Sequence, residues 1–167
     1  MCIRDRVEVP RENVLGEIGG GWQVAMTTLL HERGTLGFAL QAALEVAVRK
    51  LVALARERGA TPLQRDRIAR EWIELQALRF TNLRALTSLV KTGIPGPEGS
   101  IAKLQWSSTN QALTELAVEV GGTEALRQDG LWAYRFLRSR ANSIEGGTSD
   151  VLKNIVAERV LGLPKLR

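Results

Sequence analysis

The feature that most constrains this chain is an apolar repeat of three or four residues, which returns in four separate segments. That spacing lines apolar side chains along one face of an α-helix, whereas a half-buried β-strand needs strict alternation. No window of the sequence shows such alternation. The sequence therefore predicts an all-α fold, an up-and-down four-helix bundle. The predicted helices cover residues 22–58, 63–91, 98–120 and 148–160.

The division of the chain follows from where this repeat begins. Its 167 residues are enough for one domain of ordinary size. Residues 1–6 show neither an apolar repeat nor a helix cap, so we expect a leader that is not native to the fold. Residues 7–21 contain Pro10 and three consecutive glycines, which indicates a loop or the tail of a strand. The bundle itself is expected to occupy residues 22–167.

Composition narrows the classes of function. Cys2 is the single cysteine, which excludes an internal disulfide and favours a reducing compartment such as the cytoplasm. His31 is the single histidine, so we expect no metal site. The net charge of +5 favours an anionic partner, whether nucleic acid, a membrane surface or a phosphate-bearing small molecule. The longest weakly charged stretch, residues 34–48, is too short to span a bilayer.

The segment from Ser143 to Asp150 is the most informative in the chain. Gly146 and Gly147 stand directly before Thr148 and a new apolar repeat. This order places bare backbone N–H groups at a helix N-terminus, where they favour an anion or a polarised carbonyl. The alternative is an ordinary capped helix after a tight turn, and the pattern alone favours that alternative.

A second candidate site interrupts the apolar face of the first helix. His31, Glu32 and Arg33 are consecutive, so at least one of them should point toward the bundle interior or a partner. A half-desolvated carboxylate at Glu32 would have a raised pKa, as a general base requires. Arg33 could bind an anion or hold Glu32 in place. The alternative is a solvated face with a surface ion pair, which the sequence alone favours.

A basic stretch between the first two helices raises the question of nucleic-acid binding. Acidic residues are interleaved with its arginines, which is typical of a solvated helix surface with ion pairs one turn apart. A nucleic-acid surface would be less diluted and would carry stacking aromatics. We therefore favour the solvated surface over a small basic nucleic-acid binder. The arginines are Arg56, Arg58, Arg65, Arg67 and Arg70.

Four segments in order resemble the C-terminal part of an acyl-CoA dehydrogenase. The first resembles the exit strand of that family's middle β domain, so residues 7–21 are expected to be the end of that domain and a linker. The others resemble the entry to the helical domain, an Arg-bearing stretch of its first helix and the terminal helix signature. These segments are Val7–Glu17, Gly20–Ala25, Leu30–Arg33, and Ile144–Asp150 with Ile155–Pro164.

The resemblance implies a flavoprotein that binds FAD and an acyl-CoA substrate. In that family a carboxylate removes the α-proton of the thioester, and the β-hydride passes to FAD. The family works as dimers or tetramers and passes electrons to an acceptor. Its N-terminal helical domain and most of its β domain have no counterpart in these residues. We therefore expect the chain alone to be an inactive fragment.

The resemblance also assigns the site residues. The family's commonest base stands directly before the Gly-Thr of the terminal signature, and here that position is Gly146. In a second branch the base belongs to a Glu-Arg pair on the first bundle helix, which Glu32 and Arg33 match. Glu145 is the reserve base. Gly147, Thr148 and Asp150 match positions that contact the cofactor.

One departure bears on assembly. Many family members carry an Arg and a Phe-Gly after the first helix that reach the FAD of the neighbouring subunit. This chain has Arg56-Glu-Arg-Gly-Ala and no Phe. Both a homo-oligomer and a heteromer, in which only part of the sites hold flavin, remain open. So does a helical oligomerisation module without chemistry of its own.

Overall fold

The computed structural model describes residues 5–165, without the side chains at 30 and 33–35. Every regular element in that range is helical, which confirms the all-α prediction. The α-helices are α1 (Gly21–Arg58), α2 (Pro62–Thr92), α3 (Glu98–Gly121), α4 (Leu131–Ser139) and α5 (Ser149–Arg159). Short 3-10 helices span Arg11–Asn13, Gly122–Leu126 and Arg140–Ser143.

Local signals set the boundary between α1 and α2. Gly59 ends α1 in the left-handed conformation at φ 70°, where a side chain would be strained. Thr61 then starts α2, because its hydroxyl accepts from the Gln64 amide while the Gln64 side chain accepts from the Thr61 amide. Pro62 occupies the first helical position, where its missing N–H costs nothing. The sequence contained each of these signals.

The core is built by α1, α2 and α3, which all pack against one another. It draws on the C-terminal half of α1, where Leu51 is fully buried, rather than on the N-terminal half. Burial of a leucine side chain contributes about 2 kcal/mol. The largest fully buried apolar side chains are Leu44, Val48, Leu51, Leu75, Leu78, Leu113, Leu116 and Leu152.

The fourth side of the bundle is formed by short helices. The helix predicted at 148–160 is confirmed as α5, which has 11 residues. Together with α4 and the 3-10 helix at Arg140–Ser143, it packs on α3. Gly146 and Gly147 have positive φ values of 63° and 103°, so the chain turns sharply between the two short helices. This side therefore consists of α4 and α5, joined by a turn.

The segment before α1 has no strand in the described residues. Residues 7–20 contain only the 3-10 helix at Arg11–Asn13, and the apolar side chains of Val7, Leu15 and Ile18 are exposed. A strand requires a hydrogen-bonded neighbour, and no strand occurs within residues 5–165. Assignment of residues 7–21 to a β domain stays a prediction. The leader predicted at residues 1–6 lies largely outside the described residues.

A membrane span is also a question of helix length and composition. Within residues 5–165, none of the helices combines the length and the apolar character needed to cross a bilayer.

Candidate active site

Two of the predicted site segments meet at one cleft. It has a volume of about 440 Å³ and lies between the N-terminal half of α1, the α3 helix, α4 and the turn after it. Glu32 lines one wall, and Glu145 with Gly146 lines the other. We call these the α1 wall (residues 29–40) and the turn wall (residues 138–148). The cleft therefore brings together two carboxylates that are 113 positions apart in sequence.

The α1 wall carries Glu32 beside the apolar side chains of Leu36 and Leu40. Glu32 is exposed, as the alternative of a solvated face expects, so this chain does not by itself supply the half-desolvated environment that a general base requires. The side chain of Arg33 lies outside the described residues, and its predicted role is neither supported nor contradicted by the geometry.

Glu145 on the turn wall is held by two neighbours. Arg138 donates to both carboxylate oxygens, at 3.1 Å to Oε1 and 2.6 Å to Oε2. Asn142 Nδ2 donates to Oε1 at 2.5 Å. The hydrogen bond from Arg138, followed by that from Asn142, lowers the pKa of Glu145 although partial burial opposes the shift. A carboxylate with a lowered pKa is a weaker proton acceptor than an ordinary one, which argues against Glu145 as a general base.

Behind Glu145 lies a buried polar network that the sequence analysis missed. The Asn142 carbonyl accepts from Lys103 Nζ at 2.6 Å and from Ser107 Oγ at 2.8 Å. Asn110 Nδ2 donates to Asn142 Oδ1 at 2.8 Å. The donors stand at positions i, i+4 and i+7 of α3, so they share one helix face. Polar residues at that spacing on a largely apolar helix were the available signal.

The start of α5 matches the predicted helix N-terminus. Thr148 is the N-cap, and its hydroxyl accepts from the Val151 amide at 3.3 Å. Asp150 is exposed and forms an ion pair with Lys153 at 3.5 Å. The side-chain cap expected for an ordinary capped helix is thus present. Cofactor contacts of Gly147, Thr148 and Asp150 stay a prediction.

The basic stretch behaves as a solvated surface. Arg67 pairs with Glu119 of α3, and Arg70 pairs with Asp66 at 3.1 Å. Neighbouring acids therefore neutralise part of its charge, and this geometry favours the solvated surface over a nucleic-acid surface.

Comparison with known proteins identifies the family of the chain. Residues 19–161 match the family model for the C-terminal domain of acyl-CoA dehydrogenases. The chain is 39% identical over 160 residues to acyl-CoA dehydrogenase IpdE1 of Mycolicibacterium smegmatis, covering 91% of this chain and 39% of that protein. It is 38% identical over 170 residues to IpdE1 of Mycobacterium tuberculosis, covering 96% and 43%.

A solved structure shows the same architecture. The Tcur3481-Tcur3483 steroid ACAD superposes with a TM-score of 0.76 at 28% identity, over 96% of this chain and 44% of that chain. The chain spans about two-fifths of the length of the curated relatives it matches. The family model covers most of the chain, and the chain accordingly belongs to the acyl-CoA dehydrogenase family, of which it is the C-terminal helical domain.

Proposed function

We propose that this chain serves a flavin-dependent acyl-CoA dehydrogenase, in which a carboxylate takes the α-proton of an acyl-CoA thioester. The observation that carries the proposal is that Glu32 and Gly146 line one cleft. Gly146 lies two residues before Thr148, the N-cap of α5, and backbone N–H groups at a helix N-terminus favour negative charge. Enolate formation from a thioester needs a base and is helped by groups that stabilise the developing negative charge.

Glu32 is the proposed base. Its carboxylate lines the cleft and is not consumed by the Arg138 pair that holds Glu145. Glu145 is the reserve base, but its fixed hydrogen bonds favour an anion that orients its surroundings. Because Glu32 is exposed, its desolvation must come from substrate or from another domain. Arg33 is proposed as its supporting cation on the strength of the family resemblance.

The turn wall fits a bound FAD. Gly146 and Gly147 carry no side chain, and a Cβ at Gly146 would meet only Lys103 Cε, at 3.8 Å. A flat ligand can therefore approach the backbone closely at this turn. We propose that Gly147, Thr148 and Asp150 contact the cofactor, the first two mainly through the backbone since the Thr148 hydroxyl caps α5. When bound, FAD would accept the hydride that leaves the β-carbon.

Exposed apolar surface supports an oligomer. On the outer side of α2, Ile73, Phe80 and Val90 are all more than 60% exposed. Exposed apolar side chains along one helix gain stability when another chain buries them. A dimer or tetramer, either of identical chains or with a second subunit, would cover it. The absence of a Phe after α1 favours a heteromer, in which part of the sites hold flavin.

The substrate is proposed to be an acyl-CoA whose electrons pass to a separate acceptor in the cytoplasm. The 28% identical solved protein is described as a steroid ACAD. A thioester with a steroid-derived acyl group is therefore the first substrate to test, with a straight-chain acyl-CoA beside it.

Flavin content and bleaching by acyl-CoA test the proposal. This chain is purified beside a version extended through the upstream coding sequence, each with and without a co-expressed candidate partner subunit. We expect a yellow extended form whose flavin absorbance falls when acyl-CoA is added, and a colourless 167-residue chain. Absence of flavin from every extended sample would contradict the catalytic proposal and favour a helical oligomerisation module.

A further inference from the structure

We infer that Lys103 is a positioning residue that holds the Gly146–Gly147 turn in its working shape by bridging the backbone carbonyls at the two ends of that turn. The inference rests on the proposed function, since the turn matters for catalysis only if substrate and flavin bind beside it. It assigns a role to a residue that lies on α3, away from both predicted carboxylates in sequence.

The geometry of the bridge is specific. Lys103 Nζ donates to the Asn142 carbonyl at 2.6 Å and to the Gly147 carbonyl at 2.8 Å. These carbonyls flank a turn in which Gly146 and Gly147 both have positive φ. An ammonium group has three donors on a compact head, so it can serve both carbonyls at once. An apolar side chain of the same length has no donor for either carbonyl.

Burial makes this bridge difficult to replace. Lys103 is only 8% exposed, and lysine is almost never this buried in proteins unless its charge has partners. Its stem lies against the turn, since Cε is 3.8 Å from where a Cβ of Gly146 would stand. The same residue lines the cleft together with Glu32. The turn wall is thus anchored from beneath by α3, a 24-residue helix in the core.

A second donor supports the same anchor. Ser107, one helical turn beyond Lys103, donates to the Asn142 carbonyl at 2.8 Å. It makes no bond to Gly147 among the hydrogen bonds that the described residues form. Ser107 therefore holds only the first end of the turn, whereas Lys103 holds both ends. This difference provides a graded test.

The first measurement is amide hydrogen exchange in the 167-residue chain, which needs neither flavin nor activity. Lys103→Met keeps the length of the side chain and removes the donors. We expect exchange in the peptide covering residues 143–148 to accelerate at least 10-fold, with peptides of α1 and α2 unchanged. Ser107→Ala should accelerate the same peptide by a smaller factor, about 2- to 5-fold.

The matched control is Lys153→Met, which makes the same chemical change at an exposed position of α5. It should leave exchange at residues 143–148 unaltered. If Lys103→Met behaves like this control, or accelerates exchange throughout the chain, the inference is wrong. Should Lys103→Met fail to fold, Ser107→Ala decides alone: no local acceleration in residues 143–148 overturns the proposal.

The second measurement uses the extended flavin-bound enzyme. Lys103→Met should lower kcat 10- to 100-fold and change KM less than 3-fold, because the turn is misplaced while the bulk of the substrate site is retained. An unchanged kcat overturns the catalytic part of the inference. Failure of the proposed function would give a different result. The extended wild-type protein would then lack acyl-CoA-dependent bleaching, while Lys103→Met would still accelerate exchange at residues 143–148.

Discussion

The two walls of the cleft hold their carboxylates differently. On the turn wall, side chains of α3 and α4 hold Asn142, Glu145 and Gly147 through bonds that join residues 7 to 44 positions apart. On the α1 wall, Asn82 of α2 donates to the Gly37 carbonyl at 3.0 Å, but the carboxylate of Glu32 is exposed. Trp22, at the start of α1, is 77% exposed.

The difference shows which carboxylate this chain holds with its own residues and which one it leaves exposed. On the turn wall, the Glu145 carboxylate is bound by Arg138 and Asn142 of the same chain. The α1 wall presents an exposed carboxylate, Glu32. We infer that the turn wall is preorganised, while the environment of Glu32 is completed by substrate, flavin or a neighbouring domain.

The largest expected effect concerns the division of labour between the two carboxylates. In the extended enzyme, Glu32→Gln should lower kcat about 10³-fold, because loss of a general base removes this order of rate enhancement. Flavin content should stay normal. Steady-state kinetics with acyl-CoA and the flavin absorbance of each variant measure both.

Glu145→Gln is the counterpart on the turn wall. If Glu145 has no proton-transfer role, the fall in log kcat for this variant should be less than a tenth of the fall for Glu32→Gln. Glu57→Gln, at an exposed position near the end of α1, is the control. Near-normal turnover of Glu32→Gln together with loss of turnover in Glu145→Gln would reverse the assignment.

A leucine pair tests how well the α1 wall is packed compared with the core. Leu113 on α3 is fully buried, whereas Leu29 at the α1 wall is 37% exposed. Leu113→Ala should lower the free energy of unfolding by about 3 kcal/mol, because it leaves a cavity in the core. Leu29→Ala should cost less than about 1 kcal/mol. Urea denaturation of the 167-residue chain measures both, and equal losses would show that the α1 wall is as well packed as the core.

Asn142 tests the cohesion of the turn wall. This residue is 3% exposed, and Asn142→Ala deprives Asn110 of its acceptor and Glu145 of one donor. An unsatisfied buried polar group costs about 1–3 kcal/mol, and we expect about 2 kcal/mol from chemical denaturation. Asn154→Ala on the exposed side of α5 should stay within about 0.5 kcal/mol. A similar small change in both variants would contradict the proposed network.

The smallest effect is a pH dependence that distinguishes Glu145 from a carboxylate outside the cleft. The pKa of Glu145 is lowered, so its stabilising contribution is present above the unfolded value of 4.5 and is lost as pH falls through the folded pKa. Burial, followed by the charge of Glu74, raises the pKa of Glu71 to about 7 although Arg67 opposes the shift. The stability associated with Glu71 is therefore present below pH 4.5 and is lost as pH rises toward 7.

These opposite signs are measurable by denaturation across pH. Glu71→Gln should remove about 1 kcal/mol of the decline between pH 4.5 and 7, after allowance for solvent screening at this half-buried site. Glu145→Gln should remove about 0.5 kcal/mol of the decline at acid pH, because its side chain is 39% exposed. If both variants changed the free energy of unfolding over the same pH range, Glu145 would not be the fixed anion of the turn wall.

Much of the fold followed from sequence signals that act over a few residues. The apolar repeats predicted α1, α2, α3 and α5, because a helix satisfies its backbone within one turn. Gly59 and Pro62 marked the break between the first two helices for the same local reason.

The site was predicted in part. Sequence and family resemblance placed Glu32, Glu145 and Gly147 among the candidates, and the structure brings the Glu32 and Glu145 segments to one cleft. Glu32 is exposed, as the solvated alternative expects, and its role as base stays a prediction, since burial depends on what covers a helix face and not on the helix itself. The sequence did not predict a role for Lys103, because a lysine within an amphipathic helix normally lies on the solvated side.

By itself the sequence determined the helices, their breaks, the single-domain size and the family, all of which are recorded in local composition and motif order. Only the tertiary structure decided which apolar faces are buried, that α3 anchors the turn through Lys103 and Ser107, and that Glu145 is bound while Glu32 is exposed. The physical reason is the range of the interactions: capping and helix periodicity act within four residues, whereas the bonds of the turn wall to α3 join groups more than 30 residues apart.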